Sequence, residues 1–401
     1  MTDQRRLPEL EFIALTAMLF ATIAFSIDAM LPALTVMGEE LSPTDPEQVT
    51  LVIGIFVLGM GIGTFFAGPL SDAFGRKPVI LGGYVLYIVG AAIAASSPSL
   101  EWILAGRLIQ GLAVAGPRIA ALAMVRDLYS GERMASISSY SMMIFVLVPA
   151  VAPLIGQQIM LAFGWRAIFV SFVLFAVVVA TWLSTRQPET LPQEKRVNMS
   201  ARAMGSAVVE CLGNRVFRFS VTVLTLTFAG LFALISSVQP IYAESFDAAD
   251  TFPYWFAGSA LLAIPGNFLN GRLVLRYGMR LMVKTAVLGH LIVSALAFVM
   301  LQTGNMSIWI FFLYSTSFMF SMSFVFPNLT ALSMEPMGHI AGLAASVNGA
   351  ISTILAAVLA IPIGLAFDGT PMAVLTGTLI GLAISYGLML KLGPRPEPAQ
   401  A

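Results

Sequence analysis

The chain has 401 residues, 58% of them hydrophobic and only 10% charged, with a formal net charge of +0. A soluble protein carries roughly 25% charged residues, so this chain lacks the polar side chains to cover a water-facing surface and reads as an integral membrane protein. The balanced charge gives no overall field for nucleic acid. One cysteine, Cys211, excludes an intrachain disulfide and a multi-thiolate metal site. The two histidines, His290 and His339, lie too far apart to suggest a local metal motif, so no metal centre is expected.

Apolar runs of about 20 residues, enough to cross a bilayer, fall near 10–34, 48–70, 78–96, 100–126, 134–160, 165–184, 216–242, 251–271, 281–301, 307–330, 340–366 and 372–391. The first is too long for a signal-peptide core and lacks a small-residue cleavage site. The pattern predicts an all-α integral membrane fold of twelve transmembrane helices in two pseudo-symmetric six-helix halves. Residues 1–185 form the first half, 186–214 a polar linker and 215–401 the second half. Glycine and proline are frequent, at 34 and 22 residues, which packed membrane helices tolerate where neighbours satisfy the freed backbone.

With both termini on one side, that side collects Arg5, Arg6, Arg76, Lys77, Arg126, Arg133, Arg186, Lys195, Arg196, Arg202, Arg215, Arg218, Arg272, Arg276, Arg280, Lys284, Lys391 and Arg395. The opposite loops hold only Arg166 among the basic residues, and are acidic at Glu39, Glu40, Asp45, Glu47, Glu244, Asp247 and Asp250. This segregation predicts cytoplasmic termini by the positive-inside rule.

Between the second and third runs lies a polar stretch, Gly68-Pro69-Leu70-Ser71-Asp72-Ala73-Phe74-Gly75-Arg76-Lys77-Pro78. Its frame returns 203 residues later, in degraded form, from Gly271 to Arg280, with Leu275 in place of Asp72. Asp72, Arg76, Arg126 and Asp127 are close in predicted membrane depth. Two acids and two bases on neighbouring helix ends can form a charge network, whereas Lys77 and Arg133 read better as ordinary topology charges. Any single exposed pair there contributes under about 1 kcal/mol.

Ionisable residues inside a span are costly and usually face a protein interior or cavity. Asp28 lies about 18 residues into the first span and Arg107 about 20 residues from the cytoplasmic end of the fourth, at similar depth. A carboxylate between a low-dielectric surrounding and an arginine can be poised to take and lose a proton. A static ion pair holding the two helices together is the alternative. Arg118 falls about 20° from the face of Arg107 and roughly 16 Å along the helix. It either contacts a substrate or bonds a carbonyl near the Gly116-Pro117 break. His290, in the ninth run, either relays protons or bonds a neighbouring helix.

The Gly68–Lys77 spacing resembles the loop signature between helices two and three of major facilitator superfamily transporters. Leu104 to Gly111 resembles their fourth-helix signature, in which the residue matching Arg107 is implicated in proton coupling. Pro149-Ala150-Val151-Ala152-Pro153-Leu154-Ile155-Gly156 resembles the fifth-helix antiporter signature, with Pro149, Pro153 and Gly156 as its bending and packing positions. Ile27 to Leu34 is similar to the first-helix signature of twelve-helix drug:proton antiporters. Val125 to Tyr129 and Ala341 to Ser346 are similar to segments of the bicyclomycin/chloramphenicol-resistance subfamily. Two positions depart from the pattern: Gln157 stands for a second glycine, and Ala113 replaces a common glycine.

The resemblance implies a multi-pass transporter of the bacterial inner membrane, driven by the proton gradient without a cofactor, and no enzyme. Its partners are a small-molecule substrate, protons and the lipid bilayer, and it works as a monomer. It exports by alternating access, with a proton-coupled or facilitated importer of the same fold as the alternative; one buried acid against two buried arginines, Asp28 against Arg107 and Arg118, suits small neutral or polar compounds better than permanent cations. Asp28 and Arg107 carry the proton coupling. Arg118, Tyr140, Phe145, Phe232, Gln239, Asn328 and Asn348 are the substrate-contact candidates, as polar or aromatic residues in cavity-facing spans. Gly68, Asp72, Gly75, Arg76, Lys77, Arg126 and Asp127 form a conformational latch expected to favour the outward-open state.

Overall fold

The computed structural model describes residues 7–392; in the sixth helix the side chains at 135, 139 and 144–146 lie outside the described set. The described chain is helical throughout, without a strand. Its helices are α1 (Glu9–Asp28), α2 (Leu34–Leu41), α3 (Leu51–Phe74), α4 (Arg76–Ala95), α5 (Leu100–Leu128), α6 (Gly131–Phe163) and α7 (Arg166–Arg186). There follow α8 (Ala201–Gly213), α9 (Arg215–Phe246), α10 (Phe252–Tyr277), α11 (Met279–Gln302), α12 (Ile308–Met334), α13 (Ala341–Leu365) and α14 (Met372–Leu392).

Ten stretches among the described residues are long and apolar enough to cross a membrane. One of them, Ile308–Leu365, is two helices joined at a kink near Met337. The helix α10 is not among the ten, because Asn267, Asn270, Arg272 and Arg276 dilute its apolar character. The predicted first run is broken: α1 ends at Asp28, a single 3-10 turn covers Leu31–Ala33, and α2 continues from Leu34. Pro32 sits inside that turn, where it has no amide to donate and would crowd a continuing helix.

The helices α1 and α3–α7 pack chiefly on one another, as do α9–α14. The pairing of α4 with α7 recurs as α11 with α14, and that of α3 with α5 recurs as α10 with α12. Two seams join the groups, α3 against α13 and α6 against α10. Along the first seam Gly54, Gly61 and Gly68 face Ile361, Ile354 and Ser346 in antiparallel order, small residues that let the helices approach closely.

Ion pairs fix which loops share an end. Arg133 with Glu9, and Arg186 with Glu11, gather the starts of α1 and α6 and the end of α7 at a basic end. Arg166 with Glu40 ties the start of α7 to α2 at the acidic end. Hydrogen bonds between the two helix groups fall at that acidic end: the Thr35 hydroxyl donates to Gln239 Oε1 (2.9 Å), and Gln157 Nε2 donates to the Asp250 carbonyl (3.0 Å). The glutamine that departs from the antiporter pattern therefore ties α6 to the start of α10. Toward the basic end α6 exposes Tyr140 and Met143, and α10 exposes Phe268 and Leu275.

The polar stretch 186–214 is more structured than its composition predicts. Its second part forms α8, whose Met204, Ala207 and Cys211, spaced three and four apart, are buried. Ala207 and Cys211 form a small apolar cluster with Phe217, Val221, Met337, Ala344 and Val347 against α9 and α13. That spacing was the available signal for an amphipathic helix.

Candidate functional site

Asp28 is the last residue of α1 and is buried. Among the described residues it has no ion pair or side-chain hydrogen bond. Arg107, fully buried in α5, reaches the same depth but does not pair with it. Its Nη2 donates to the Ser26 carbonyl (3.1 Å), its Nε to the Val52 carbonyl (3.2 Å) and its Nη1 to Gln110 Oε1 (3.1 Å). Its guanidinium carbon lies 4.1 Å from the centre of the Phe56 ring. The expected Asp28–Arg107 pair is thus absent, and the helix geometry gives the reason. Two residues along a helix rotate a side chain by about 200°, so the face of α1 at Ser26 is not the face of Asp28.

The Ser26 face belongs to a polar seam that sequence reading missed. The hydroxyls of Thr22 and Tyr84 lie 2.8 Å apart, and that of Ser26 bonds that of Tyr87. The available signal was two small polar residues four apart in one span and two tyrosines three apart in another. Arg107 and this seam brace α1 against α3, α4 and α5.

On another side of α1, α6 presses against its break. A Cβ added to Gly156 would collide with the Ala29 carbonyl oxygen, so only glycine permits this approach. Pro149 and Pro153 lie inside the same helix. The unpaired carboxylate therefore sits where a broken α1 meets the proline-containing α6.

Arg118 is half-buried in α5, one residue after Pro117, and has no hydrogen bond or ion pair among the described residues. It makes no bond to a nearby carbonyl. Of the other substrate-contact candidates, Gln239 is engaged by Thr35, and Asn328 Nδ2 donates to Asn270 Oδ1 (2.7 Å) and to the Phe324 carbonyl (2.7 Å). Phe232 is packed in the core beside Phe228, and Tyr140 is exposed. Asn348 is buried in α13 with Oδ1 unpartnered. The side chain of Phe145 lies outside the described residues. Asp28, Arg118 and Asn348 thus keep unspent polar groups, on α1, α5 and α13. His290 bonds Ser317 of α12 through Nδ1 (2.9 Å) and lies against the rings of Tyr314 and Phe318, so it joins two helices.

At the basic end Arg76 pairs with Asp72 and with Asp127 (2.9 Å), as the charge pattern predicts. Arg126 is exposed and does not join them among the described residues. All three members belong to α3, α4 and α5, so the network joins the ends of three helices of the first group. Gly75, at φ 102°, turns the chain between α3 and α4. The Glu189 carboxylate, 113 residues further on, accepts from the amides of Arg76 (3.0 Å) and Lys77 (3.0 Å) and caps α4. Lys77 Nζ donates to the Ser184 carbonyl, and Thr190 Oγ1 to Asp127. Nothing local in the sequence marked Glu189, because its partners are main-chain amides.

A helical bundle with ten long apolar helical stretches among the described residues, buried polar groups at helix breaks and charges gathered at its ends has the build of a multi-pass membrane protein. A family model described as Major Facilitator Superfamily matches residues 14–361, and the chain belongs to that family. A bicyclomycin resistance protein homolog of Haemophilus influenzae is 27% identical over 349 residues, 87% of each chain. Multidrug resistance protein D of Escherichia coli K12 is 26% identical over 346 residues, 82% of each chain. Among solved structures, a D-xylose-proton symporter superposes with a TM-score of 0.77 at 13% identity, over 96% of this chain and 98% of that one. A human organic anion transporter superposes at 0.69 with 18% identity, over 96% and 99%. At those identities the structural likeness speaks for the fold alone.

Proposed function

We propose that this chain is a drug:proton antiporter, exporting small neutral or polar compounds across a bacterial inner membrane by alternating access. Twelve spans form two six-helix halves, residues 1–185 and 215–401, joined by a cytoplasmic linker at 186–214. Both termini are cytoplasmic, the protein acts as a monomer, and the proton gradient drives it without a cofactor. The resistance-protein names of its relatives favour export over import.

The observation that carries this reading is Asp28, a buried carboxylate without an ion pair, at the break of α1 against α6. Protonating it removes a charge from a low-dielectric place and changes the relative energies of the inward- and outward-facing states. Arg107 acts beside it as the brace that holds α1 at that depth. The network of Asp72, Arg76 and Asp127, with Gly68, Gly75 and Lys77, shapes the cytoplasmic end of the first half.

Arg118 sets the substrate class. An unspent guanidinium in a span disfavours a permanently cationic compound, and suits hydrogen-bond acceptors on a neutral or anionic one. The test is expression in an efflux-deficient bacterium with a susceptibility panel. Resistance to neutral antibiotics of the amphenicol or bicyclic-peptide type, lost when the proton gradient is collapsed, supports the proposal. Resistance confined to cationic dyes, or growth on a solute with no resistance, sinks it.

A further inference from the structure

The chain between the two helix groups is fastened to each of them, with little left free in between. Its first part, from Gln187 to Val197, lies over the turn between α3 and α4. Gln187 and Leu191 are buried there. The Glu189 carboxylate accepts from the amides of Arg76 and Lys77, and the Val197 amide donates to the Asp72 carbonyl (3.1 Å). The fit is close: a Cβ added to Gly75 would stand 2.6 Å from Glu189 Oε2 and 3.0 Å from Arg196 Nη2. The second part is α8, seated on the other group. Ala207 and Cys211 pack with Phe217, Val221, Ala344 and Val347. Glu210 Oε1 lies 2.5 Å from Nε2 of His339, in the short segment that leads into α13.

Between these anchors stand Asn198 and Met199, both exposed. Ser200 already caps α8, accepting from the Ala203 amide. Three peptide units join Val197 to Ser200, so the two anchors can lie no more than about 11 Å apart. The connection crosses the α3–α13 seam. Asp72 is one turn beyond Gly68, and Ala344 and Val347 lie on either side of Ser346 in sequence, so the crossing falls at the basic end, where Gly68 meets Ser346. The α6–α10 seam is held differently. Gln157 with the Asp250 carbonyl, and Ala150 with Ala257 and Ala260, join its acidic end and its middle. Beyond them, toward the basic end, Tyr140, Met143, Phe268 and Leu275 are exposed.

We propose that residues 187–213 form a strap of fixed length that holds α3 beside α13 at the basic end, so that the halves part there on the α6–α10 side. The proposal rests on the alternating-access reading for the motion that the strap limits. An opening that widened both seams equally would have to pull Val197 from Asp72, or α8 from α9 and α13. An opening about an axis along the α3–α13 seam disturbs neither anchor. Gly54, Gly61 and Gly68 suit that seam to be the axis, because they keep the two helices close along its length. The mouth of the interior at the basic end then lies between α6 and α10, beside Tyr140 and Phe268.

The test measures distances between spin labels in the full chain, in lipid nanodiscs, with Cys211→Ala. Phe74→Cys with Ala341→Cys spans the strapped seam at the basic end, and Glu132→Cys with Leu275→Cys spans the other; all four positions are exposed. With the native linker the first pair gives one distance and the second gives two. Inserting six Gly/Ser residues after Asn198 adds slack of up to about 20 Å and brings a longer distance to the Phe74/Ala341 pair. Val197→Pro removes the donor to Asp72 without changing the length, and moves that pair in the same direction. Two distances at Glu132/Leu275, with a Phe74/Ala341 pair that neither variant alters or that is already double with the native linker, overturn the strap and leave alternating access standing. A single distance at Glu132/Leu275 in every variant refutes alternating access, and the strap proposal with it.

Discussion

Arg107→Gln separates a brace from half of an ion pair. The guanidinium makes three hydrogen bonds, two of them to main-chain carbonyls on α1 and α3, and lies over the Phe56 ring. Hydrogen bonds from a charged group contribute about 1.5–3 kcal/mol each, offset by several kcal/mol for burying the charge. Allowing for one bond regained by the glutamine, the loss is about 2–4 kcal/mol of stability. Unfolding in mixed micelles measures it, and a double-mutant cycle with Asp28→Asn gives the deciding number. Since no ion pair joins Arg107 to Asp28, their coupling stays below about 1.5 kcal/mol, the middle of the range for groups in contact. A coupling above about 1.5 kcal/mol would refute this reasoning, because it demands a direct charge interaction.

Gly156→Val drives a side chain into the Ala29 carbonyl. An overpacking cost of about 1–3 kcal/mol, seen as lost thermal stability and folded yield, is expected, and a neutral result contradicts the close approach. Glu189→Ala removes the cap of α4 at a cost of about 0.5–2 kcal/mol. Exchange of the Arg76 and Lys77 amides reads it directly, and unaltered exchange rules the cap out. Cys211 is buried in α8, and burial with the neighbouring Glu210 pushes its thiol above the ordinary range. Since thiolate is the reactive form, maleimide labels the folded protein slowly at neutral pH, and the rate keeps climbing with pH beyond the point where an ordinary thiol levels off. Fast labelling at pH 7 without denaturant contradicts the packing of α8 on α9 and α13.

The helices were legible because long apolar runs bounded by charge or glycine leave few alternatives. The break at residues 29–33 was announced by Pro32, and the repeated turn at Gly75 and Gly278 by the 203-residue offset. The site was less legible. Depth could be counted along a span, and it correctly brought Arg107 level with the end of α1. Azimuth could not, because facing directions depend on how neighbouring helices pack. That is why Arg107 was assigned to Asp28 and instead bonds the Ser26 carbonyl. Gln239 and Asn328 stand out in sequence because they are polar in apolar helices, but the sequence does not show that each bonds another helix. Glu189 was invisible for a different reason: a carboxylate that caps main-chain amides leaves no complementary side chain to find.

The most direct test of proton-coupled export is Asp28→Asn in proteoliposomes with an imposed pH gradient and a neutral substrate taken from the susceptibility panel. The substitution keeps the volume of the side chain and removes the ionisable proton. Gradient-driven accumulation should vanish, while substrate binding and downhill exchange persist. Accumulation at the level of the unmodified protein would contradict the role assigned to Asp28.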